Sequence, residues 1–172
     1  MEEAPPYFYH QDANNRQCVM FALNNLLQRP YKNKITCNDF KTVVKQLINE
    51  HASNQHKIIS HLLFSKKPPD TCGCDEESWS LSVPLKYLDN MDPPIKYKVC
   101  NLSNYQTETS FEKGRFLLLV ELKSTDITKT GNHAICVLHG WLLDSLKNGA
   151  EKIQMGKFIE SYNLKKMWEL LN

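Results

Sequence analysis

A cysteine, a histidine and an aspartate stand where acyl-transfer chemistry could use them: Cys18 within NNRQCVMFALNNLLQ, His133 directly after a Gly-Asn pair, and Asp144 near the end of WLLDS. The first segment offers Asn14 or Asn15 as an N-cap, followed by helix formers with apolar residues around much of the circumference, which is the pattern of a buried helix. Cys18 then falls in the first turn. Unpaired backbone N–H groups and the positive end of the helix dipole lie there, and both favour a thiolate. An unpaired cysteine on a buried helix is also a small hydrophobe that fills a core. Helix position alone leaves both readings open.

The histidine and the aspartate become partners if His139-Gly140 forms a two-residue hairpin turn, which pairs Leu138 with Trp141. Asp144 then lies opposite Ile135, and alternation puts His133, Ile135 and Asp144 on one face. Asp144 is the diagonal neighbour of His133, roughly 7–8 Å away along the backbone, a span that a carboxylate and an imidazole bridge. A three-residue loop would shift the register by one and send Asp144 to the other face. Taken singly, His133 reads as a strand-end histidine facing water and Asp144 as a turn residue. Taken with Cys18, they form the nucleophile, base and orienter of covalent catalysis. His139 reads as turn chemistry and Cys100 and Cys136 as strand packing. His51, His56 and His61 share no consistent helical face and read as solvated.

The elements that must hold these residues divide by period. In ITCNDFKTVVKQLINEH, Thr36 and Asp39 have capping-box-like spacing, and Phe40, Val43, Val44 and Leu47 share one helical face. A second helical stretch, NQHKIISHLLF, ends before Pro68 and Pro69, so residues 36–64 read as a projecting helical hairpin. Pro84 suits the first turn of a further short helix in SVPLKYLDN. Beyond Pro93-Pro94, the runs IKYKVCNL, RFLLLVEL, HAICVL and WLLDS read as strands separated by turn formers. Helices first and strands afterwards predict an α+β fold: a single domain over 1–172, with a helical part at about 10–92 packed on a mostly antiparallel sheet at about 95–172.

Composition narrows the function. The 172 residues carry a net charge of +2, with basic residues scattered rather than striped among aromatics, so no nucleic-acid footprint is expected. No apolar run reaches the roughly 18 residues that span a bilayer, so no membrane partner is expected. MEEAPPYFYH lacks the basic and apolar regions of a secretory signal, and the expected setting is a reducing cytoplasmic or nuclear one. The six cysteines are then free thiols. Cys72-Gly73-Cys74 has no matching second pair, and no metal is expected.

Three segments, in order, resemble the Josephin type of papain-like deubiquitinase. HQDANNRQCVMFALNNLLQ is similar to the family's opening, in which a histidine and a glutamine precede the catalytic cysteine; Leu23-Asn24-Asn25-Leu26-Leu27-Gln28 stands whole. CGCDEESWSLSVPLKYLDN is similar to the family's acidic loop and short helix, and NHAICVLHGWLLDS to its histidine strand and Trp-containing return strand. The resemblance implies a Josephin-like fold, in which the 36–64 hairpin helps admit ubiquitin. It also implies a Cys18–His133–Asp144 triad, with no cofactor, that hydrolyses the bond after the C-terminal glycine of ubiquitin, with ubiquitin or ubiquitinated proteins as partners; a monomer is expected. The sequence departs from the family at Ala13, where the oxyanion glutamine is usual, so that role falls to Gln11, Asn14 or Gln17. Asp144 stands where asparagine is more usual. The tail 146–172 has no counterpart, and its KMWELL reads as a strand added to the sheet. The alternatives are a papain-like peptidase or transamidase with another substrate, and an inactive ubiquitin-binding module.

Overall fold

The computed structural model describes residues 4–11, 17–50, 81–123 and 132–171. The second helical stretch of the expected hairpin, the Cys72-Gly73-Cys74 loop, His51, His56, His61 and Asn14 lie outside these residues.

Helix α1 (Cys18–Leu27) is followed by α2 (Cys37–Glu50) and α3 (Ser82–Asp89). The start of α2 is fixed by the expected reciprocal cap: the Thr36 N–H donates to Asp39 Oδ2 at 2.7 Å, and the Asp39 N–H returns to Thr36 Oγ1 at 3.4 Å. Helix α1 departs from expectation at its start. Its N-cap is Gln17, without a side-chain cap, rather than Asn14 or Asn15. Gln17 is buried and turns its amide to Cys37 Sγ on α2, at 3.8 Å.

Among the described residues, six strands form an antiparallel sheet: β1 (Tyr97–Val99), β2 (Arg115–Leu122), β3 (Asn132–Leu138), β4 (Trp141–Leu143), β5 (Glu151–Lys152) and β6 (Tyr162–Leu170). They lie in the order β1-β6-β2-β3-β4-β5. On one face Val19, Ala22, Leu23 and Leu26 of α1 pack with Leu117, Ala134, Cys136 and Leu143. On the other, Phe111, Met155 and Phe158 cover Phe116, Leu118, Ile135, Val137 and Met167. A sheet covered on both faces has no polar alternation, which explains why RFLLLVEL and HAICVL are nearly continuous apolar runs.

Two expected strands are shorter than their apolar runs. In IKYKVCNL the strand is Tyr97–Val99; Cys100 still donates its N–H to the Met167 carbonyl at 2.9 Å, and beyond it the Asn101 side chain accepts from the Ser103 N–H at 3.2 Å and caps a tight turn at Leu102–Asn104. WLLDS stops at Leu143, where Asp144 begins a turn: its backbone carbonyl accepts from the Lys147 N–H at 2.9 Å. The tail holds more than a terminal strand. β6 runs from Tyr162 and lies between β1 and β2, and it is preceded by α4 (Met155–Ser161). That helix has seven residues and two buried anchors, Met155 and Phe158, too short a segment to display a period.

Candidate active site

The β3–β4 hairpin is built on the two-residue turn that the sequence predicts. His139 and Gly140 have φ of 47° and 80°, both in the left-handed region that a type I′ turn requires, and Leu138 pairs with Trp141. The ladder continues through Val137 with Leu142 and Cys136 with Leu143. This register delivers Asp144 to the face of His133. His133 Nε2 lies 2.7 Å from Asp144 Oδ1, and both residues are 4% exposed, so the contact is desolvated.

Helix α1 packs along β3, which brings its first residue to the strand's beginning. The half-buried Cys18 side chain lies near enough to the His133 imidazole to favour its charged form. Asp144 takes Nε2, which leaves Nδ1 as the other ring nitrogen. Burial alone would depress the imidazole pKa, but the hydrogen bonds and negative charges of Asp144 and Cys18 raise it to about 9. His133 is therefore an imidazolium at neutral pH. Asp144 shows the converse balance: burial pushes it up, while hydrogen bonds from His133, Tyr162 and the Leu146 N–H, with the imidazolium charge, hold it below the usual carboxylate range. Imidazolium donates to carboxylate through Nε2–H.

Gln11, on the N-terminal segment, is tied to Ser145, the residue after Asp144. Its N–H donates to the Ser145 carbonyl at 2.7 Å, and the Ser145 hydroxyl donates to its Oε1 at 2.8 Å. Both residues are buried. With Oε1 occupied by a donor, the amide is oriented with its NH2 on the opposite side. The neighbouring His10 Nδ1 donates to the Lys147 carbonyl at 2.8 Å, so the segment is tied to the turn that follows Asp144. Gln17, with its amide on Cys37, is directed into the helical core instead.

The asparagines of α1 explain how that segment is held. Asn25 Oδ1 accepts from the Tyr9 N–H at 2.6 Å, and its Nδ2 donates to the Tyr9 carbonyl at 3.3 Å. Gln28 does the same for Tyr7, at 2.7 and 3.0 Å. Asn24 clamps both backbone groups of Ile35, at 2.7 and 2.9 Å. Asn24 and Asn25 satisfy backbone groups that are buried or part-buried and have no ladder partner, while the Gln28 bonds to Tyr7 lie at the exposed end of the segment. The Leu-Asn-Asn-Leu-Leu-Gln run is thus a clamp that aligns residues 7–9, and through them Gln11, with the helix that carries Cys18.

Cys136 is a packing residue, as its strand position suggested: burial, reinforced by the Asp144 charge, pushes its thiol pKa up strongly. Cys18, Cys37, Cys100 and Cys136 are all free. Among the described residues, no cluster of histidine, cysteine, aspartate or glutamate could hold a metal ion, and no helix is long and apolar enough to cross a membrane.

Two members of the site were not anticipated. Ser145 orients Gln11, and Tyr162 donates its hydroxyl to Asp144 Oδ2. Ser145 directly follows a proposed orienter and could have been suspected on that ground. Tyr162 lies eighteen residues beyond Asp144, across a helix, and no spacing rule connects them. No protein-family model matches the chain, and no curated protein matches it.

Proposed function

We propose that this chain is a cysteine hydrolase with Cys18 as nucleophile, His133 as its acid and base, and Asp144 as the orienter of the imidazole. The single observation that carries the reading is the buried His133–Asp144 hydrogen bond beside Cys18, the first residue of a helix, whose side chain interacts with the same imidazole. Attack of the Cys18 sulfur on a carbonyl carbon gives a tetrahedral oxyanion; the Cys18 backbone N–H and the Gln11 amide are its donors. As the oxyanion collapses, the His133 N–H passes its proton to the leaving amine, and a thioester remains. His133, now neutral, takes a proton from water, which attacks the thioester; the acid is released and the sulfur re-forms its pair with the imidazolium. Asp144 keeps Nε2–H throughout and fixes the ring.

The substrate class rests on the resemblance to Josephin-type enzymes in the Cys18 helix and the His133 hairpin: the reaction is cleavage of the amide bond after the C-terminal glycine of ubiquitin. The amide clamps of Asn24, Asn25 and Gln28 give the most specific part of that resemblance a physical reason. The test is hydrolysis of ubiquitin bearing a fluorogenic C-terminal amide. Turnover that disappears in Cys18→Ala supports the proposal, and a wild-type protein that alkylating agents label at Cys18 yet that releases no fluorophore rejects ubiquitin as substrate.

A further inference from the structure

Asp144 is gripped at both oxygens, and the two grips differ. Oδ1 accepts from His133 Nε2 at 2.7 Å and from the Leu146 N–H at 3.0 Å, whereas among the described residues Tyr162 is the donor on Oδ2. A carboxylate held at one oxygen turns about its Cα–Cβ and Cβ–Cγ bonds; held at both, it has one orientation. Tyr162 is itself immobilised. It is 3% exposed, its ring packs on Phe158 with centroids 5.1 Å apart, and its backbone N–H donates to the Phe158 carbonyl. It opens β6 opposite Leu122 of β2, so the hydroxyl is aimed by the sheet and by α4 together.

We propose that Tyr162 is a positioning residue of the site, acting through Asp144 to hold the His133 imidazole in line with Cys18. The inference rests on the reading of Cys18 and His133 as a catalytic pair. The simpler account is a buried tyrosine that satisfies its hydroxyl on the nearest acceptor. That account does not explain why the acceptor is the ionised group already bound to the imidazole, in a bond that is charge-assisted and therefore strong. The groups facing this unit are few: Cys18 from α1 beside His133, Cys136 of β3 near Asp144, and Glu151 and Lys147 around Tyr162, with Lys147 Nζ 5.6 Å from the ring centroid. Without the hydroxyl, Oδ2 is a buried acceptor with no donor, and the carboxylate either turns or takes up a proton. Both responses loosen its hold on Nε2.

The test follows the His133 titration by NMR, assigned with His133→Ala, and uses no ubiquitin, so its outcome is independent of the substrate reading. Tyr162→Phe keeps the ring and lowers the pH at which His133 loses its proton by about one unit, the order expected when a charge partner is weakened. 4-Aminophenylalanine at position 162 restores a donor and returns the titration to its wild-type position. An unchanged or raised titration in Tyr162→Phe overturns the proposal, as does failure of the amino group to rescue. Should Tyr162→Phe not fold, 3-fluorotyrosine at 162 preserves the shape and is a more acidic donor. It grips Oδ2 more tightly and moves the His133 titration up, opposite to Tyr162→Phe, and a titration that is unchanged or lowered overturns the coupling.

Discussion

His133 and Asp144, eleven residues apart in the chain, meet at 2.7 Å because one left-handed turn residue, His139, and one glycine, Gly140, set the register of the hairpin between them. The carboxylate takes Nε2 and leaves Nδ1 for another partner. A one-residue change in that turn would put the carboxylate on the opposite face of the sheet. The chemistry of the site thus depends on a turn several residues from any reacting atom.

The first expectation concerns the thiols. At about pH 6 the imidazolium of His133 faces Cys18, while Cys37, Cys100 and Cys136 are buried, so brief iodoacetamide treatment labels Cys18 ahead of every other cysteine, Cys72 and Cys74 included. His133→Ala removes the cation and with it the preference. Peptide mass mapping reads both results, and first labelling at Cys72 or Cys74 would make Cys18 a packing residue.

The alkaline side of the pH profile follows from His133. Its pKa is raised from 6.5 to about 9, so the leaving-group acid persists at neutral pH and is lost as pH climbs through 9. Stability has the same sign: a raised histidine contributes fully below 6.5 and loses that contribution on the way through 9. Asp144, lowered from 3.8, contributes above 3.8 and loses its share as pH falls through the depressed value. Thermal unfolding measured across pH should show a plateau between about 3.8 and 6.5 and a decline from 6.5 to 9, and in His133→Ala the overall stability is lower and that alkaline decline disappears.

At position 144 the acceptor matters more than the charge. Asp144→Asn keeps an oxygen for Nε2–H and costs roughly tenfold in kcat, whereas Asp144→Ala leaves the ring free to turn and costs roughly 10²–10⁴-fold, the usual range for a general acid and base. Equal losses in the two variants would show that Asp144 acts by its charge alone.

Much of the arrangement was legible because it is local. The capping box of Thr36 and Asp39, the I′ turn at His139-Gly140 and the apolar runs of β2 and β3 each encode their geometry within a few residues. Long-range contacts were not legible in this way. Tyr162 reaches Asp144 only after α4 and the insertion of β6 between β1 and β2, an arrangement that no periodicity announces. The α1 cap was misplaced for a related reason. Asn14 and Asn15 have better capping side chains than Gln17, but Gln17 is fixed by burial against α2, and packing overrides local preference there.

Gln11 carries a kinetic signature. Gln11→Ala removes the amide donor that Ser145 orients and lowers kcat by roughly 10²–10³-fold with little change in KM, as loss of one oxyanion donor does. A KM effect without a kcat effect would assign Gln11 to substrate binding or to structure.

The amide clamps carry a stability signature instead. Asn24→Ala and Asn25→Ala each leave peptide groups of Ile35 or Tyr9 without partners and cost about 1–3 kcal/mol, measurable by urea unfolding. Asn25→Ala also frees the segment that carries Gln11, so its kcat falls while that of Asn24→Ala is less affected.

The most direct measurement is covalent capture by ubiquitin whose C-terminus bears an electrophile. The account predicts a single adduct on Cys18, identified after digestion by mass spectrometry, absent in Cys18→Ala and slowed in His133→Ala. An adduct on any other cysteine, or a wild-type protein that stays unmodified while iodoacetamide labels Cys18, would contradict it.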